Sequence, residues 1–192
     1  MKASTLKFTL AGVAALVLLG IFAPGAHADF VVRRVDARFT NDVLHINSVL
    51  DMSLSIKSEE ALNKGIPFDV VTDIALVEHR RFLWNRVVTD RTLRQRVQYH
   101  ALSGQYLVSD AHIGQDVERF PTAQAALAYV GTLSDMQIPL TKKKAIDDKL
   151  RYSLKLRVRL DIESLPAPLR PLAYVTPSWH HSSGWTTWEV QQ

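Results

Sequence analysis

The sequence predicts a mainly β (α+β) fold, an antiparallel β-sandwich-like sheet with two or three short helices. Several stretches alternate apolar and polar residues, which is the pattern of strands that bury one face and expose the other. Short groups of turn residues separate these stretches, as in a series of antiparallel hairpins. Strands and helices do not alternate regularly along the chain, and this order argues against a parallel α/β fold.

The clearest strand runs from Arg151 to Glu163. Its odd positions are polar or charged, and its even positions are all apolar: Tyr152, Leu154, Leu156, Val158, Leu160 and Ile162. A helix would scatter these side chains around its circumference, whereas a strand places them on one face. Their burial is worth about 10 kcal/mol in gross terms. Because thirteen residues exceed the usual strand length, we expect this strand to bend or to cross a whole sheet.

A hairpin of two alternating strands is predicted near the start of the domain. Phe30–Phe39 forms the first strand and Leu44–Ile56 the second, with the turn residues Thr40-Asn41-Asp42 between them. A short helix follows, for which Ser58 is the expected N-cap and Gly65 the left-handed stop.

Further strands are predicted in the middle of the chain. Pro67 ends the first helix and begins an extended stretch, Phe68–Val77, that is apolar on both faces. Such a strand is expected at the centre of a sheet or beneath a helix. A second hairpin is expected from Thr92–Ala101 and Gln105–Ser109, which a Ser-Gly turn joins, and Val117–Phe120 is expected to be a short strand or edge piece.

Helices and a proline-containing segment are predicted in the second half. Thr122 caps a helix over Ala123–Val130, which Gly131 ends. Thr141–Lys149 is charged and poor in breakers, so it is a third short helix or a surface loop. Residues 165–177 are expected to be an extended wrapping segment or a sheet edge, because of Pro166, Pro168 and Pro171.

Length and composition indicate one globular domain. The chain has 192 residues, of which 47% are hydrophobic and 22% are charged, and this composition argues against wholesale disorder. Its net charge is +4; without Lys2 and Lys7 it has 21 basic and 19 acidic residues, a balance too mild to indicate nucleic-acid binding. Cysteine is absent, which excludes disulfides, thiolate metal sites and cysteine nucleophiles.

Residues 1–28 have the features of a signal peptide. Two lysines form a short basic region, Phe8–Phe22 is almost wholly apolar, and Ala26-His27-Ala28 matches the small-x-small site of signal peptidase. We therefore expect cleavage before Asp29 and a single β-rich periplasmic domain over residues 29–192. The alternative is an uncleaved inner-membrane anchor, for which about 15 apolar residues are short against the roughly 20 that a spanning helix needs.

Basic residues occupy one face of two predicted strands. If these strands are neighbours, up to six cations share a surface: Arg94, Arg96, Arg151, Lys155, Arg157 and Arg159. Such a surface attracts anionic lipid headgroups or an acidic partner. The alternative is an ordinary solvated face on which Asp161, Glu163 and nearby acids balance the charge.

The C-terminal tail holds the densest group of aromatic and polar residues. One interpretation is a platform that stacks sugars or peptides, with the candidate residues Trp179, His180, Trp185 and Trp188. A second takes His180 and His181 as metal ligands, but adjacent residues on a strand point to opposite faces, so we assign no metal site. The alternative is that the three tryptophans clamp the tail onto the sandwich.

No local motif for catalysis stands out in the sequence. It contains no Gly-x-Ser-x-Gly elbow, no His-Glu-x-x-His pair, no phosphate-binding loop and no dinucleotide-binding glycine pattern. We therefore predict no catalytic residues, no cofactor and no enzymatic activity.

Several motifs together are similar to those of a known family. They are Ala61–Pro67, Tyr99–Leu102 with Gln105-Tyr106, Ala125-Ala126-Leu127 before Gly131, Leu165–Leu169 after the arginine-rich strand, and Trp179, Ser183 and Trp185. Over residues 30–190 the chain resembles the proteobacterial family called domain of unknown function 4390. That family has no assigned activity or catalytic residues. Its genes commonly lie beside one for a membrane sensor histidine kinase, so the resemblance implies a role at the envelope near a signalling protein.

Two functions follow as hypotheses. The first is a non-enzymatic periplasmic binding or interaction module, whose partner is an inner-membrane sensor kinase, another envelope protein or an anionic lipid surface, and not nucleic acid. The second is a cell-envelope hydrolase or carbohydrate-binding enzyme that uses the C-terminal tryptophans and histidines. The first agrees with export, the basic strand face and the lack of a catalytic motif.

Overall fold

The computed structural model describes residues 30–40, 42–81, 83–112, 114, 116–140 and 150–191. The predicted signal peptide and the predicted helix or loop at Thr141–Lys149 lie outside the described residues. Within the described ranges, no helix is long and apolar enough to cross a membrane.

Antiparallel strands form two sheets in this part of the chain. The smaller sheet has the order β1-β2-β7, with β1 at Phe30–Thr40, β2 at Val43–Met52 and β7 at Thr132–Pro139. The larger sheet has the order β6-β5-β4-β3-β8-β9, and its strands are β3 (Phe68–His79), β4 (Arg86–His100), β5 (Gln105–Asp110), β6 (Glu118–Phe120), β8 (Arg151–Leu160) and β9 (Thr186–Glu189). This architecture confirms the predicted mainly β class.

Three short helices lie in the described residues. The first, α1 (Ile56–Asn63), joins β2 to β3, and α2 (Ala123–Val130) joins β6 to β7, so each carries the chain from one sheet to the other. The third, α3 (Arg170–Val175), lies between β8 and β9 with single 3-10 turns at Ile162–Ser164 and Pro177–Trp179 on either side.

The core lies between the two sheets. Strand alternation sends Leu44 and Ile46 of β2 and Phe68 and Ile74 of β3 into it, and all four are buried. From β8, the predicted apolar positions Tyr152, Leu154, Leu156, Val158 and Leu160 are buried in the same cluster. The predicted inner face of this strand is therefore confirmed.

The long strand is shorter than predicted. It ends at Leu160 instead of Glu163, because Asp161 turns the chain into a 3-10 helix. The side chain of Asp161 accepts a hydrogen bond from the backbone N–H of Glu163 at 3.2 Å, which caps that turn. Ile162, predicted to be the sixth apolar residue of the strand, lies in the turn and is half-buried.

The helix α1 begins earlier than predicted. The second strand was expected to run through Ile56, but β2 ends at Met52 and Ile56 is the first helical residue. Ser55, and not Ser58, is the N-cap, since its hydroxyl accepts a hydrogen bond from the backbone N–H of Ser58 at 3.1 Å. The predicted stop is confirmed, because Gly65 has a φ of 84°, in the left-handed region that favours glycine.

The helix α2 has the predicted bounds and cap. The hydroxyl of Thr122 accepts a hydrogen bond from the backbone N–H of Ala125 at 3.1 Å. Gly131 follows the helix where the backbone of Leu50 passes close by, and a Cβ placed on this glycine would lie 2.6 Å from the Leu50 carbonyl oxygen. Glycine is therefore required at position 131, because any side chain would collide with the backbone of Leu50.

Two segments differ from the prediction. The sequence pattern does not reveal β7, because Asp135 interrupts it with a φ of 47°, next to a register shift in the pairing with β2. The extended backbone predicted for residues 165–177 is wrong, since they include α3 and a 3-10 turn. Pro171 is in the first turn of α3, where a missing N–H removes no helical hydrogen bond.

The central position of β3 is confirmed. It pairs with β4 along one edge and with β8 along the other. Because every second residue of β3 enters the core, Asp69, Val71 and Asp73 lie on the opposite, outer face of the large sheet. The neighbouring strand β4 begins at Arg86, earlier than the predicted Thr92.

Candidate functional site

Charged side chains and one tryptophan gather on the outer face of the large sheet. They come from the adjacent strands β4, β3 and β8 and from the residues just after β8 and just before β9. We call this group the charged sheet face: Asp69, Asp73, Arg94, Arg96, Arg157, Arg159, Asp161 and Trp185. Since β3 runs between two strands that carry arginines, its carboxylates have basic neighbours on both sides.

Asp69 and Arg96 form the first ion pair of the charged sheet face. They are directly opposite each other in the β3–β4 ladder. Arg96 donates from Nε to Oδ1 at 2.7 Å and from Nη2 to Oδ2 at 3.0 Å, the bidentate geometry that gives the strongest arginine–carboxylate contacts. The hydrogen bond to buried Asp69 raises the pKa of Arg96, although burial of the guanidinium opposes this shift.

Asp73 is shared by several donors. Arg157 Nη2 donates to Oδ2 at 2.7 Å, Thr92 Oγ1 donates to Oδ1 at 3.0 Å, and Arg159 Nε donates to Oδ2 at 3.4 Å. Burial acts to raise the pKa of this carboxyl, but the hydrogen bonds from Arg157 and Thr92 and the charges of both arginines outweigh it, so the pKa of Asp73 is lowered. Asp73 is therefore a stable negative charge between two guanidinium groups.

Asp161 links the arginines of β4 and β8. It accepts a hydrogen bond from Arg94 Nη1, and its other carboxylate oxygen lies 3.9 Å from Nη1 of Arg159. Its backbone N–H donates to the carbonyl oxygen of Asp69 at 2.8 Å, which fixes its position. Opposite charges thus alternate across the sheet in the order Arg94, Asp161, Arg159, Asp73 and Arg157.

Trp185 lies at the β8 end of this series. The guanidinium carbon of Arg157 is 4.6 Å from the centroid of the tryptophan ring, which is a cation–π distance. Trp185 is 49% exposed. Arg157 is therefore held between the carboxylate of Asp73 and the ring, while about half of the ring surface stays open to solvent.

The charged side chains also cover apolar surface. Val71 points to the outer face between Arg94 and Arg159, its register partners on the two neighbouring strands. It is nevertheless 0% exposed. Because strand alternation places Val71 outside the core, the stems of the surrounding side chains must lie over it. The charged sheet face is thus a packed layer of the molecule.

Four of the six predicted basic residues belong to the charged sheet face, and the other two lie beside it. Lys155 is half-buried on β8, opposite Ala75 of β3 and Thr187 of β9. Arg151 is exposed at the start of β8, opposite His79. The carboxylates that pair with the four arginines of the face are Asp69, Asp73 and Asp161.

The predicted aromatic tail is divided among different surroundings. Trp179 is buried in the core and packs edge-on against Phe68, with ring centroids 5.8 Å apart. Trp188 is half-buried on β9 and packs against the core, whereas His180 is exposed. Trp185 joins the charged sheet face. The four residues are therefore not brought together on one surface.

His181 and Ser58 form a buried contact that sequence reasoning misses. His181 Nε2 lies 2.9 Å from Ser58 Oγ, and the imidazole ring stacks on Phe30 with centroids 5.4 Å apart. The hydroxyls of Ser55 and Ser58 donate to the carbonyl oxygen of Ser178 at 2.7 and 3.1 Å. These contacts fix the tail against α1. Since 123 positions separate the two residues, no local pattern could have revealed the pair.

Comparison with known proteins gives one family. Residues 27–189 match the model of the family described as Domain of unknown function (DUF4390). No curated protein and no solved structure matches the chain. The matched range agrees with the resemblance seen in the sequence, and the description of the family names no activity.

Proposed function

We propose that this chain, which belongs to the DUF4390 family, is an exported, non-enzymatic interaction module of the cell envelope. Its partner in this proposal is the extracytoplasmic part of an inner-membrane sensor kinase or of another envelope protein. The observation that carries the proposal is the charged sheet face, where guanidinium groups and a half-exposed tryptophan hold fixed positions. Export to the periplasm is part of the same proposal and rests on the signal-peptide features of residues 1–28.

The residue types of the charged sheet face suit the recognition of another protein. Arginine and tryptophan are enriched among the residues that contribute most to binding at protein interfaces. Arg157 and Arg159 are already held by Asp73, so a partner would immobilise less side-chain freedom on binding. Because guanidinium groups pair well with carboxylates, we expect the partner to present acidic side chains, with an apolar group over Trp185.

The rival hypothesis, a hydrolase or carbohydrate-binding enzyme built from the C-terminal tail, has less support. Trp179 and Trp188 pack against the core, so the tail offers no shared aromatic platform with Trp185. Ser58 and His181 resemble a nucleophile and a base in residue type, but both side chains are buried. We therefore propose no catalytic residues.

In-cell crosslinking tests the proposal. A photoreactive residue is placed in turn at Gln98, Lys155 and Thr187, which flank the charged sheet face on β4, β8 and β9. The control position is Arg33, which is exposed on β1 of the small sheet. We expect a reproducible adduct with a membrane protein from the first three positions and none from the control.

Charge reversal is the second arm of the experiment. Combining Arg157→Glu with Arg159→Glu should lower the yield of the adduct from Gln98 by about tenfold or more, because close charge pairs across an interface contribute strongly to binding. Arg33→Glu should leave the yield unchanged. Thermal unfolding tests whether each variant is folded, and only folded variants are compared. A folded double variant with an unchanged yield of adduct would refute the proposal. The rival hypothesis would be supported if the protein turned over cell-wall fragments and His180→Ala lost this activity.

A further inference from the structure

The connection between β3 and β4 exposes apolar side chains at one end of the large sheet. Leu83 is 66% exposed, Trp84 is 93% exposed and Val87 is 57% exposed. The hairpin tip, as we call it, consists of these three residues together with Arg80, Arg81 and Arg86. Trp84 has the most exposed large aromatic side chain of the described residues. An apolar group of this kind on a protein surface indicates an interaction site.

The hairpin tip stands on a fixed base. Glu78, near the end of β3, is buried and accepts hydrogen bonds from Arg80 Nε and Arg86 Nη2, each at 2.5 Å. Burial acts to raise the pKa of Glu78, but the two arginines outweigh it and the pKa is lowered. The charged carboxylate therefore holds one arginine on each side of the connection, and Leu83 and Trp84 lie between these two arginines in the sequence.

The hairpin tip has a net positive charge. Residues 78–87 contain three arginines and a single acid. The side chains of Arg80 and Arg86 are partly exposed, so both still reach solvent although they pair with Glu78. Arg151 lies at the same end of the sheet, opposite His79 in the β3–β8 ladder. A positive field therefore surrounds the exposed apolar residues.

This combination suits the surface of an anionic bilayer. Tryptophan is enriched at the level of the lipid headgroups, because its ring is apolar and its N–H is polar. Leucine adds apolar area that enters the boundary between headgroups and acyl chains. Arginine side chains around such a wedge reach lipid phosphates while their stems stay in apolar surroundings. Contact between the tips of two copies would instead bring like charges together.

We propose that the hairpin tip docks the domain on an anionic lipid surface, with Leu83 and Trp84 among the headgroups and the arginines bound to lipid phosphates. The tip lies at the end of the strands, so the charged sheet face stays clear of the bilayer and available to a protein. The two proposals are independent. Loss of lipid binding would leave the crosslinking result unchanged, and the converse also holds.

Vesicle binding tests this inference with the protein purified from the cells that produce it. The vesicles contain phosphatidylcholine alone or phosphatidylcholine with phosphatidylglycerol. We expect Leu83→Ser combined with Trp84→Ser to weaken binding to the anionic vesicles by about tenfold or more, since both substitutions remove inserted apolar area. Leu102→Ser is the matched control and should leave binding unchanged, because Leu102 is 95% exposed in the turn at the opposite end of β4.

Fluorescence identifies the inserted residue. Lipids with brominated acyl chains quench tryptophans that enter the bilayer, and the quenching lost in Trp84→Phe reports Trp84 alone among the four tryptophans. We expect clear quenching of Trp84 and binding that weakens as salt is added, because basic residues act electrostatically near an anionic surface.

Four results would overturn the inference. They are equal binding of the tip variant and the Leu102→Ser control, unquenched Trp84 in vesicle-bound protein, equal binding to neutral and anionic vesicles, and lipid-free self-association that the tip variant abolishes. The last result, measured by sedimentation, would assign the hairpin tip to a second copy of the chain. Both variants replace exposed side chains, so circular dichroism should show the parent fold.

Discussion

The two faces of the large sheet are both closely packed, but by opposite chemistry. On the inner face, Leu154 and Leu156 of β8 are fully buried among apolar side chains. On the outer face, Val71 is equally buried beneath side chains whose charges are paired with Asp73 and Asp161. An unpaired charge is therefore incompatible with the inner face, whereas the outer face depends on its charges being balanced.

Within the outer face, acids and arginines differ in role. The side chain of Asp73 is mostly buried, whereas those of Arg157 and Arg159 are about one-third exposed. Removing one arginine leaves Asp73 with another arginine and Thr92 as donors, but removing Asp73 leaves two arginines without their shared acceptor. The acid therefore contributes more to the fold, and the arginines are the groups that a partner can reach.

Leu156→Asp should have the largest effect on stability. It places a carboxylate among apolar side chains and removes a buried leucine, at a cost of about 4 kcal/mol or more. That is a large share of the stability of an ordinary domain, so we expect no cooperative transition in thermal unfolding followed by circular dichroism.

The adjacent residue provides the control for this prediction. Arg157→Ser changes the opposite face of the same strand and should cost about 1 kcal/mol, because it removes one half-exposed ion pair. The variant should still unfold cooperatively. If the two substitutions destabilised the domain equally, the assignment of inner and outer faces on β8 would be wrong.

Asp73→Asn should have an intermediate effect. The amide keeps the size of the side chain but loses the negative charge that Arg157 and Arg159 share, so we expect a loss of about 2 kcal/mol in denaturant unfolding at neutral pH. Asp51→Asn is the control on the small sheet, since Asp51 is exposed and pairs with the exposed Arg33. Its loss should stay below about 0.5 kcal/mol.

The same variant gives a pH signature. The folded pKa of Asp73 lies below the ordinary value of 3.8, so its contribution to stability is complete above that value and is lost as the pH falls through the folded pKa. The free energy of unfolding should therefore fall in acid, with a shallower slope in Asp73→Asn. Two results together would contradict this: the same pH dependence of the free energy of unfolding in Asp73→Asn and in the parent protein, and the same loss of stability in Asp73→Asn and Asp51→Asn. The ion pairs of the charged sheet face would then contribute no more than ordinary surface ion pairs.

The inner face can be predicted from the sequence because its signal is local. The alternation of β8 is read from consecutive residues, and Thr122 with Gly131 marks both ends of α2 in the same way. Prediction fails where local geometry departs from the regular pattern. Asp135 interrupts the alternation of β7, and Pro171 lies in the first turn of a helix where the prolines predicted extended backbone.

The ion pairs of the outer face join residues that are far apart in the sequence, so the sequence alone does not show whether its charges are balanced. The arginines on β4 and β8 are visible in the sequence, but their partners depend on strand order. Arg96 pairs with Asp69 across 27 positions, and Arg157 pairs with Asp73 across 84. Until β3 is known to lie between the two arginine-bearing strands, a basic surface and a balanced one cannot be distinguished.

Trp185→Ala should have a small effect on stability, and it separates the two possible uses of the outer face. The ring is 49% exposed and stacks on one guanidinium, so its removal should cost about 1 kcal/mol or less. If the charged sheet face recognises a partner, the crosslinked adduct from Gln98 should nevertheless fall several-fold.

Trp188→Ala should lower stability but leave the crosslinked adduct intact, the opposite of the result expected for Trp185→Ala. Its ring is half-buried against the core, so we expect a loss of about 2 kcal/mol or more, while the remaining folded protein still forms the adduct. Were Trp185→Ala to destabilise the domain as much as Trp188→Ala and leave the adduct intact, Trp185 would be part of the packing alone. The outer face would then, like the inner face, serve to stabilise the fold, although it does so with charged side chains.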